Sequence, residues 1–391
     1  MSSEYFADDL PLNGIKVVET AQGVSGPYAA KLLASLGAEV IKVELPEGDW
    51  SRKAPPFLSE TNHTESSALY LYNNTGKKSV VLDWRNSEGL HNLENLIKSA
   101  DVFIEDWDIA ARKKWKLKPG FFIEKNPRLI ELSITPFGLS GPYSGYKSTP
   151  LIQLALGGIL NLIGNPEQEP LMLPGHQPDY LTGINGSNSV QIALWDRDIF
   201  GEPGKFLELT MLETLASLHQ APLDMNGVIR QRSGHRQSPL SSNGFPPGVC
   251  TVSAKDGYVT FGGGSPAIWE QLCLMLGRLD LFENETFSNV FENPESGLIV
   301  DHIMENWMAE KTREEVFKEA SSVWMMPVSP VKKVDEILED KQYASRHAFQ
   351  KITHPVAGEA TYPSPTFTAN GKKLGVSRSP MLGEHTKEYL W

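Results

Sequence analysis

An α/β fold built on a doubly wound, Rossmann-like sheet is what this sequence predicts, with a smaller α+β domain after it. Three observations carry that expectation. Short β-branched runs alternate with amphipathic helical stretches through the first half of the chain. The pattern changes after residues 227–249, which are rich in Gly, Ser, Pro and Arg. Finally, 391 residues at 40% apolar content are enough for two or three domains without disulfide or metal staples.

The elements follow in order. Residues 15–19 read as a strand, 23–27 as a turn and 28–36 as a helix. Pro27 suits the first helical turn and Gly37 the C-terminal cap. Residues 39–44 form a second strand, and 79–82, 102–105 and 129–134 three more, with 88–100 a helix between two of them. Strand–helix–strand spacing of this kind implies a parallel sheet covered on both faces. A helix at 187–195 and a strand at 205–210 come next. Beyond 249 a strand pair precedes helices near 267–276, 298–310 and 313–322. The expected domains are therefore a large one at 1–200, joined by 345–391; a linker at 201–245; a small α+β domain at 246–330; and a return segment and tail at 331–391 that pack on the large domain.

Charge narrows the function. With 36 basic against 48 acidic side chains the net charge is −12, which argues against nucleic-acid or anionic-membrane binding. The first ten residues carry Glu4, Asp8 and Asp9 without an apolar run, so no signal peptide is expected. The longest apolar stretch, 151–163, is broken by Gln153 and Asn161 and is too short to span a bilayer. Two cysteines, Cys250 and Cys273, fit a reduced compartment. The expectation is a cytoplasmic protein.

Four segments could carry chemistry. Gly23–Pro27 precedes a helix and Glu44 ends the next strand, as in a dinucleotide site, but the G-x-G-x-x-G pattern is absent. A ligand-facing turn without NAD is the better reading. Arg112, Lys113, Lys114, Lys116 and Lys118 surround Trp115 just after a strand. They suit phosphates and a purine face, or equally a solvated helix end. Asp179, in Gly175-His176-Gln177-Pro178-Asp179, either caps a helix or serves as a carboxylate nucleophile, and the residues alone favour the cap. Gly262, Gly263 and Gly264 after a strand suit a mobile lid or an anion nest. H-E-x-x-H, paired C-x-x-C, Walker and G-x-S-x-G patterns are missing, so no metal is expected.

Several stretches together resemble the family III CoA-transferases, the CaiB/BaiF type that includes formyl-CoA transferase and the carnitine CoA-transferases. They are Leu12-Asn13-Gly14-Ile15-Lys16-Val17-Val18-Glu19, then Gly26-Pro27-Tyr28-Ala29-Ala30, then Leu36-Gly37-Ala38-Glu39-Val40-Ile41-Lys42-Val43-Glu44. Pro46, Gly48, Asp49 and Arg52, the Asp179-x-x-x-Gly183 element, the triple glycine and the segment 380–386 agree as well. The resemblance implies that Asp179 attacks an acyl-CoA thioester, that an aspartyl anhydride and then an aspartyl-CoA thioester form, and that CoA passes to an acceptor carboxylate. It places CoA, as substrate, against Val24, Ser25, Leu45, Leu82, Arg85, Asp106, Trp107, Lys114 and Lys147. Leu45 stands where some relatives have a basic residue, and Asp106 where asparagine is common. The resemblance also implies a homodimer of interlocked rings. Two alternatives are an α-methylacyl-CoA racemase, whose catalytic histidine would fall near Ser148-Thr149-Pro150, and a non-catalytic CoA binder.

Overall fold

The computed structural model describes residues 5–6, 10–58, 64–165, 168–219, 250–262, 265–288 and 294–390. The chain divides into two compact units, one of residues 1–157, 173–219 and 340–391, the other of 158–172 and 220–339.

Six parallel strands organise the first unit: β1 (Lys16–Glu19), β2 (Glu39–Glu44), β3 (Lys77–Val81), β4 (Val102–Glu105), β5 (Ile130–Thr135) and β6 (Phe206–Thr210). Their spatial order is β3-β2-β1-β4-β5-β6. This is the doubly wound, Rossmann-like order, and it reverses between β1 and β4, where ligands lie beyond the carboxyl ends of the strands. Around the sheet run α1 (Ser25–Ser35), α2 (Ala68–Asn73), α3 (Ser87–Lys98), α4 (Ile109–Trp115), α5 (Pro150–Leu156) and α6 (Gln177–Phe200).

Strand period sorts the apolar side chains into two cores. Val17, Val40, Val102 and Ile104 pack with Leu33 of α1 and Val190 and Leu194 of α6. Val18, Ile41 and Phe103, one residue out of phase, pack with Leu93, Leu96 and Ile97 of α3.

The expected helix at 187–195 is the middle of a 24-residue helix. Periodicity missed its first half because the buried face there is made of Thr182, Gly183, Gly186 and Ser187 rather than large apolar residues. The stretch 201–245 divides. β6 and a helix at Met211–Ala216 belong to the first unit, and 220–249 lies outside the described residues. Residues 340–391 supply an antiparallel hairpin, Phe349–His354 with Gly358–Pro363, and the strand Lys372–Leu374, which pairs with Tyr5–Phe6. The tail reaches β3, where the His385 amide donates to the Ser79 carbonyl at 2.9 Å.

The second unit has an antiparallel sheet in the order Val328–Pro330, Gly257–Phe261, Thr251–Ala254. Helices Pro266–Met275, Pro294–Met308 and Arg313–Ser322 accompany it. Its core includes Val259, Phe261, Leu272, Cys273, Met304 and Val316. Both cysteines are buried. Among the described residues no helix is long and apolar enough to cross a membrane.

Candidate active site

The site begins with the turn after β1. Gly23 has φ +77° and lies under the Trp50 ring, which would stand 2.2 Å from any Cβ placed there. Only glycine fits, by conformation and by space. Its amide donates to both carboxylate oxygens of Asp49, at 3.0 and 3.1 Å. Asp49 also accepts from the Ser51 amide and hydroxyl, both at 2.8 Å, and pairs with Lys42 at 2.8 Å. Burial raises the Asp49 carboxyl, but Lys42 and these amides outweigh it and hold the pKa below its ordinary value.

Glu44 lies beside this group and resolves the dinucleotide question. Its oxygens take a two-pronged pair from Arg52, at 2.7 and 2.9 Å, and the Ser79 hydroxyl at 2.7 Å. Only 3% exposed, it cannot face a ribose. Arg52 also pairs with Glu65 at 2.7 Å and stacks on the Tyr70 ring 3.6 Å from its centroid. Glu44, Asp49 and Arg52 thus form a buried network beneath the turn. Removing one member of such a network leaves an uncompensated buried charge, which costs about 3–5 kcal/mol.

The turn leads into α1, which packs along α6. Gly183 makes that approach possible, since a Cβ there would sit 2.8 Å from the Ser25 carbonyl oxygen and 3.1 Å from Tyr28. Asp179 lies one turn earlier on the same face of α6, because residues four apart share a helix face. The Ser25 hydroxyl donates to Asp179 Oδ1 at 3.2 Å. On the other side His176 Nδ1 stands 3.4 Å from Asp179 Oδ2. That carboxylate raises the His176 pKa above its ordinary value. The Trp50 ring lies 6.4 Å from the imidazole, centroid to centroid.

The helix-cap reading of Asp179 is corrected by this geometry. His176 occupies the N-cap position, and Asp179 lies in the first turn, bonded to side chains. Side-chain exposure is 16%, so the carboxylate is open to a ligand yet largely shielded from water.

The other expected residues fall after the strand ends. Val24 is the N-cap of α1. Leu45, Leu82 and Trp107 are buried together in the core behind β2, β3 and β4, with little of their side chains exposed. Trp107 stacks on Trp84 and meets Trp115 edge-on at 5.5 Å. The Trp115 indole is therefore a core wall rather than a free purine platform. Arg85 is exposed and held by Asp83 and Glu47 at 2.7 Å each. Asp106 accepts the Gln22 amide at 2.9 Å, tying the β4 loop to the β1 loop at the switch point. Burial pushes its carboxyl up to about 7.

The basic cluster splits. Arg112 is buried and paired with Glu105, while Lys114 and Lys147 are exposed. Thr149, at the racemase position, accepts from the Ile152 amide and caps α5. Gly262 follows a strand of the second unit and donates to the Pro327 carbonyl at 2.8 Å. Gly263 and Gly264 lie outside the described residues. Among the described residues no group of three potential ligands could hold a metal.

Sequence reasoning missed the functions of Gly183, Asp49 and Arg52. The i, i+4 spacing of Asp179 and Gly183 was the available signal for the first. Nothing local pointed to the second and third, whose partners include residues as distant in sequence as Gly23 and Pro380.

Comparison with known proteins agrees with this geometry. The family model for CoA-transferase family III matches residues 12–386. A succinate–glutarate CoA-transferase of Agrobacterium fabrum is 30% identical over 97% of this chain and 95% of that protein. The β subunit of a succinyl-CoA–L-malate CoA-transferase of Chloroflexus aurantiacus is 28% identical over 97% of this chain and 93% of its own length. A CaiB/BaiF family protein from Brucella suis superimposes with a TM-score of 0.82 at 28% identity, covering 97% of this chain and 98% of that one. A match this complete, on a fold that sets Ser25 and Asp179 together beyond the β1 strand end, identifies an enzyme belonging to CoA-transferase family III.

Proposed function

We propose that the protein moves CoA from an acyl-CoA thioester to a carboxylic acid, with Asp179 as the nucleophile. One observation carries this reading: a carboxylate at a helix N-terminus, beyond the sheet, held by a hydroxyl donor and an imidazole and little exposed to water. An Asp179 oxygen attacks the thioester carbonyl, the C–S bond breaks, and an aspartyl acyl anhydride and CoA thiolate result. The thiolate attacks the aspartyl carbonyl and expels the donor acid as its carboxylate, leaving an aspartyl-CoA thioester. An acceptor carboxylate then reverses both steps. Protons balance throughout, since each attacking and each leaving group is an anion. Ser25 orients the attacking carboxylate through Oδ1, and shielding from water protects two hydrolysable intermediates. Val24, Ser25, Leu45, Leu82, Asp106 and Trp107 line the CoA path, with Arg85, Lys114 and Lys147 toward its phosphates.

The acids named for the relatives, succinate, glutarate and L-malate, make dicarboxylates the first substrates to try. With succinyl-CoA and glutarate, Asp179→Asn should fall to background while its CoA affinity persists. Hydroxylamine should trap an acyl group on Asp179 of the wild type. Trapping on another residue, or substantial activity in Asp179→Asn, would overturn the assignment.

A homodimer fits the same reading, because Ile192, Trp195 and Ile199 form an exposed apolar row along α6. Sedimentation at the monomer mass at micromolar concentration would refute it.

A further inference from the structure

A second cavity lies farther along α6. Its volume is about 390 Å³, and its walls come from α1, α2, α6 and residues 363–367 and 376. Leu32, Ile184, Phe367 and Val376 make much of it apolar. Two polar groups in it are unsatisfied. Lys31 lines the cavity, is 7% exposed, and among the described residues has neither a hydrogen bond nor an ion pair. Its ammonium rests on the Tyr72 ring, 3.3 Å from the centroid, and 5.7 Å from that of Tyr28. Ser364, which lines the same cavity, has a buried hydroxyl without a hydrogen-bond partner among the described residues.

A buried cation without an anion is costly, and such a group either loses its proton or acquires a counter-ion. We propose that this cavity is a binding site for a small amphipathic monocarboxylate, its carboxylate on the Lys31 ammonium and its apolar body along Leu32, Ile184 and Phe367. One cation and no arginine match a single negative charge better than a phosphate dianion. A volume near 390 Å³ with a mostly apolar wall is that of a small-ligand site. Ile184 and Ser187 lie five and eight residues beyond Asp179, roughly 8–12 Å along the helix, so the site is separate from the nucleophile and does not depend on the mechanism above.

Burial, with a smaller contribution from Lys77, pushes the Lys31 ammonium down to about 7 in the empty cavity. Among the described residues Tyr28, Tyr72 and Lys77 are the titratable groups around it, and the lining residues of α6 and 363–367 add none. Tyr28 comes from α1 and Tyr72 from α2, and burial raises the Tyr72 hydroxyl far above its ordinary value. Lys77 comes from β3, paired with Glu19 at 2.8 Å and lowered by burial to about 8. None of the three supplies a negative charge at neutral pH. Carboxylate binding must therefore take up a proton once the amine is neutral. The linkage weakens affinity roughly tenfold between about pH 6 and pH 8.

The test is calorimetric titration of the whole protein with hexanoate and with its neutral isostere hexanamide. Hexanoate should bind the wild type with the tenfold pH dependence, and at pH 6 at least tenfold more tightly than hexanamide. Asp179→Asn should bind it unchanged, which separates this site from the transferase reading. Lys31→Met should lose at least tenfold in affinity, together with the pH dependence. Equal binding of acid and amide, pH-independent binding, retention in Lys31→Met or loss in Asp179→Asn would each overturn the proposal. The wild-type comparisons decide it even if Lys31→Met does not fold.

Discussion

Replacing Gly183 by alanine tests how the candidate active site is assembled. The added methyl would stand 2.8 Å from the Ser25 carbonyl oxygen and 3.1 Å from Tyr28 Cβ and Cδ1. A carbon–oxygen contact relaxes to about 3.4 Å, so α6 must retreat from α1 by about half an ångström, because backbone cannot turn aside. Overpacking of this kind costs about 1–3 kcal/mol, while alanine regains up to about 1 kcal/mol of helix propensity. The net loss of stability should be about 1 kcal/mol. Activity should suffer more. The Ser25–Asp179 bond is already 3.2 Å long, and a displacement of half an ångström carries it out of hydrogen-bond range. A 1 Å misplacement can cost about a hundredfold in rate, so roughly tenfold is expected here. Gly186→Ala is the control. Its methyl meets the end of the Leu132 side chain, Cδ2 at 3.2 Å, which can give, and Ala29 Cβ and Ile134 Cδ1 at 3.4 Å, an ordinary van der Waals contact. Stability should therefore stay within about 1 kcal/mol and activity unchanged. Urea unfolding and CoA-transfer rates measure both effects. Wild-type behaviour of Gly183→Ala, or equal losses in the two variants, would refute this account of the helix contact.

Two further outcomes are expected. Lys114→Ala and Arg85→Ala should each weaken CoA binding roughly ten- to a hundredfold by calorimetry, the scale of one charge-assisted phosphate contact; unchanged affinity in both would remove these residues from the phosphate site. Asp106→Asn should change the pH dependence of stability. Burial raises the folded carboxyl to about 7 from an ordinary 3.8, so ionisation opposes folding increasingly as pH rises from about 4 to 7, and fully above that. The variant keeps an acceptor for the Gln22 amide and should gain about 2–4 kcal/mol over wild type at pH 8 but little at pH 4. Parallel denaturation curves at both pH values, with no divergence, would show that this carboxyl is not perturbed.

The sequence by itself determined the α/β class and most of the sheet. Strands such as β2 and β4 announce themselves because burial on both faces selects apolar, mostly β-branched residues such as Val40, Ile41, Val43, Val102 and Ile104. Pro27 and Gly37 punctuate α1 because helix ends need their particular backbone geometries. Family motifs likewise singled out Asp179, Gly183, Asp49 and Arg52. What those residues do was decided only by the tertiary structure. The first half of α6 was illegible because its buried face is small and polar, which hides helical periodicity while allowing the close approach to α1. Glu44 ends its strand where a dinucleotide fold would place a ribose ligand, and only its burial against Arg52, eight residues on, makes it part of a charge network under the Gly23 turn. The basic cluster at 112–118 is one run of like charges in sequence, yet folding buries Arg112 against Glu105 and leaves Lys114 in solvent. Lys31 reads as an ordinary helix lysine until Tyr72 and the segment 363–367 close around it. Local pattern records propensity and periodicity, whereas the free energy of a buried charge depends on partners that only folding brings within reach.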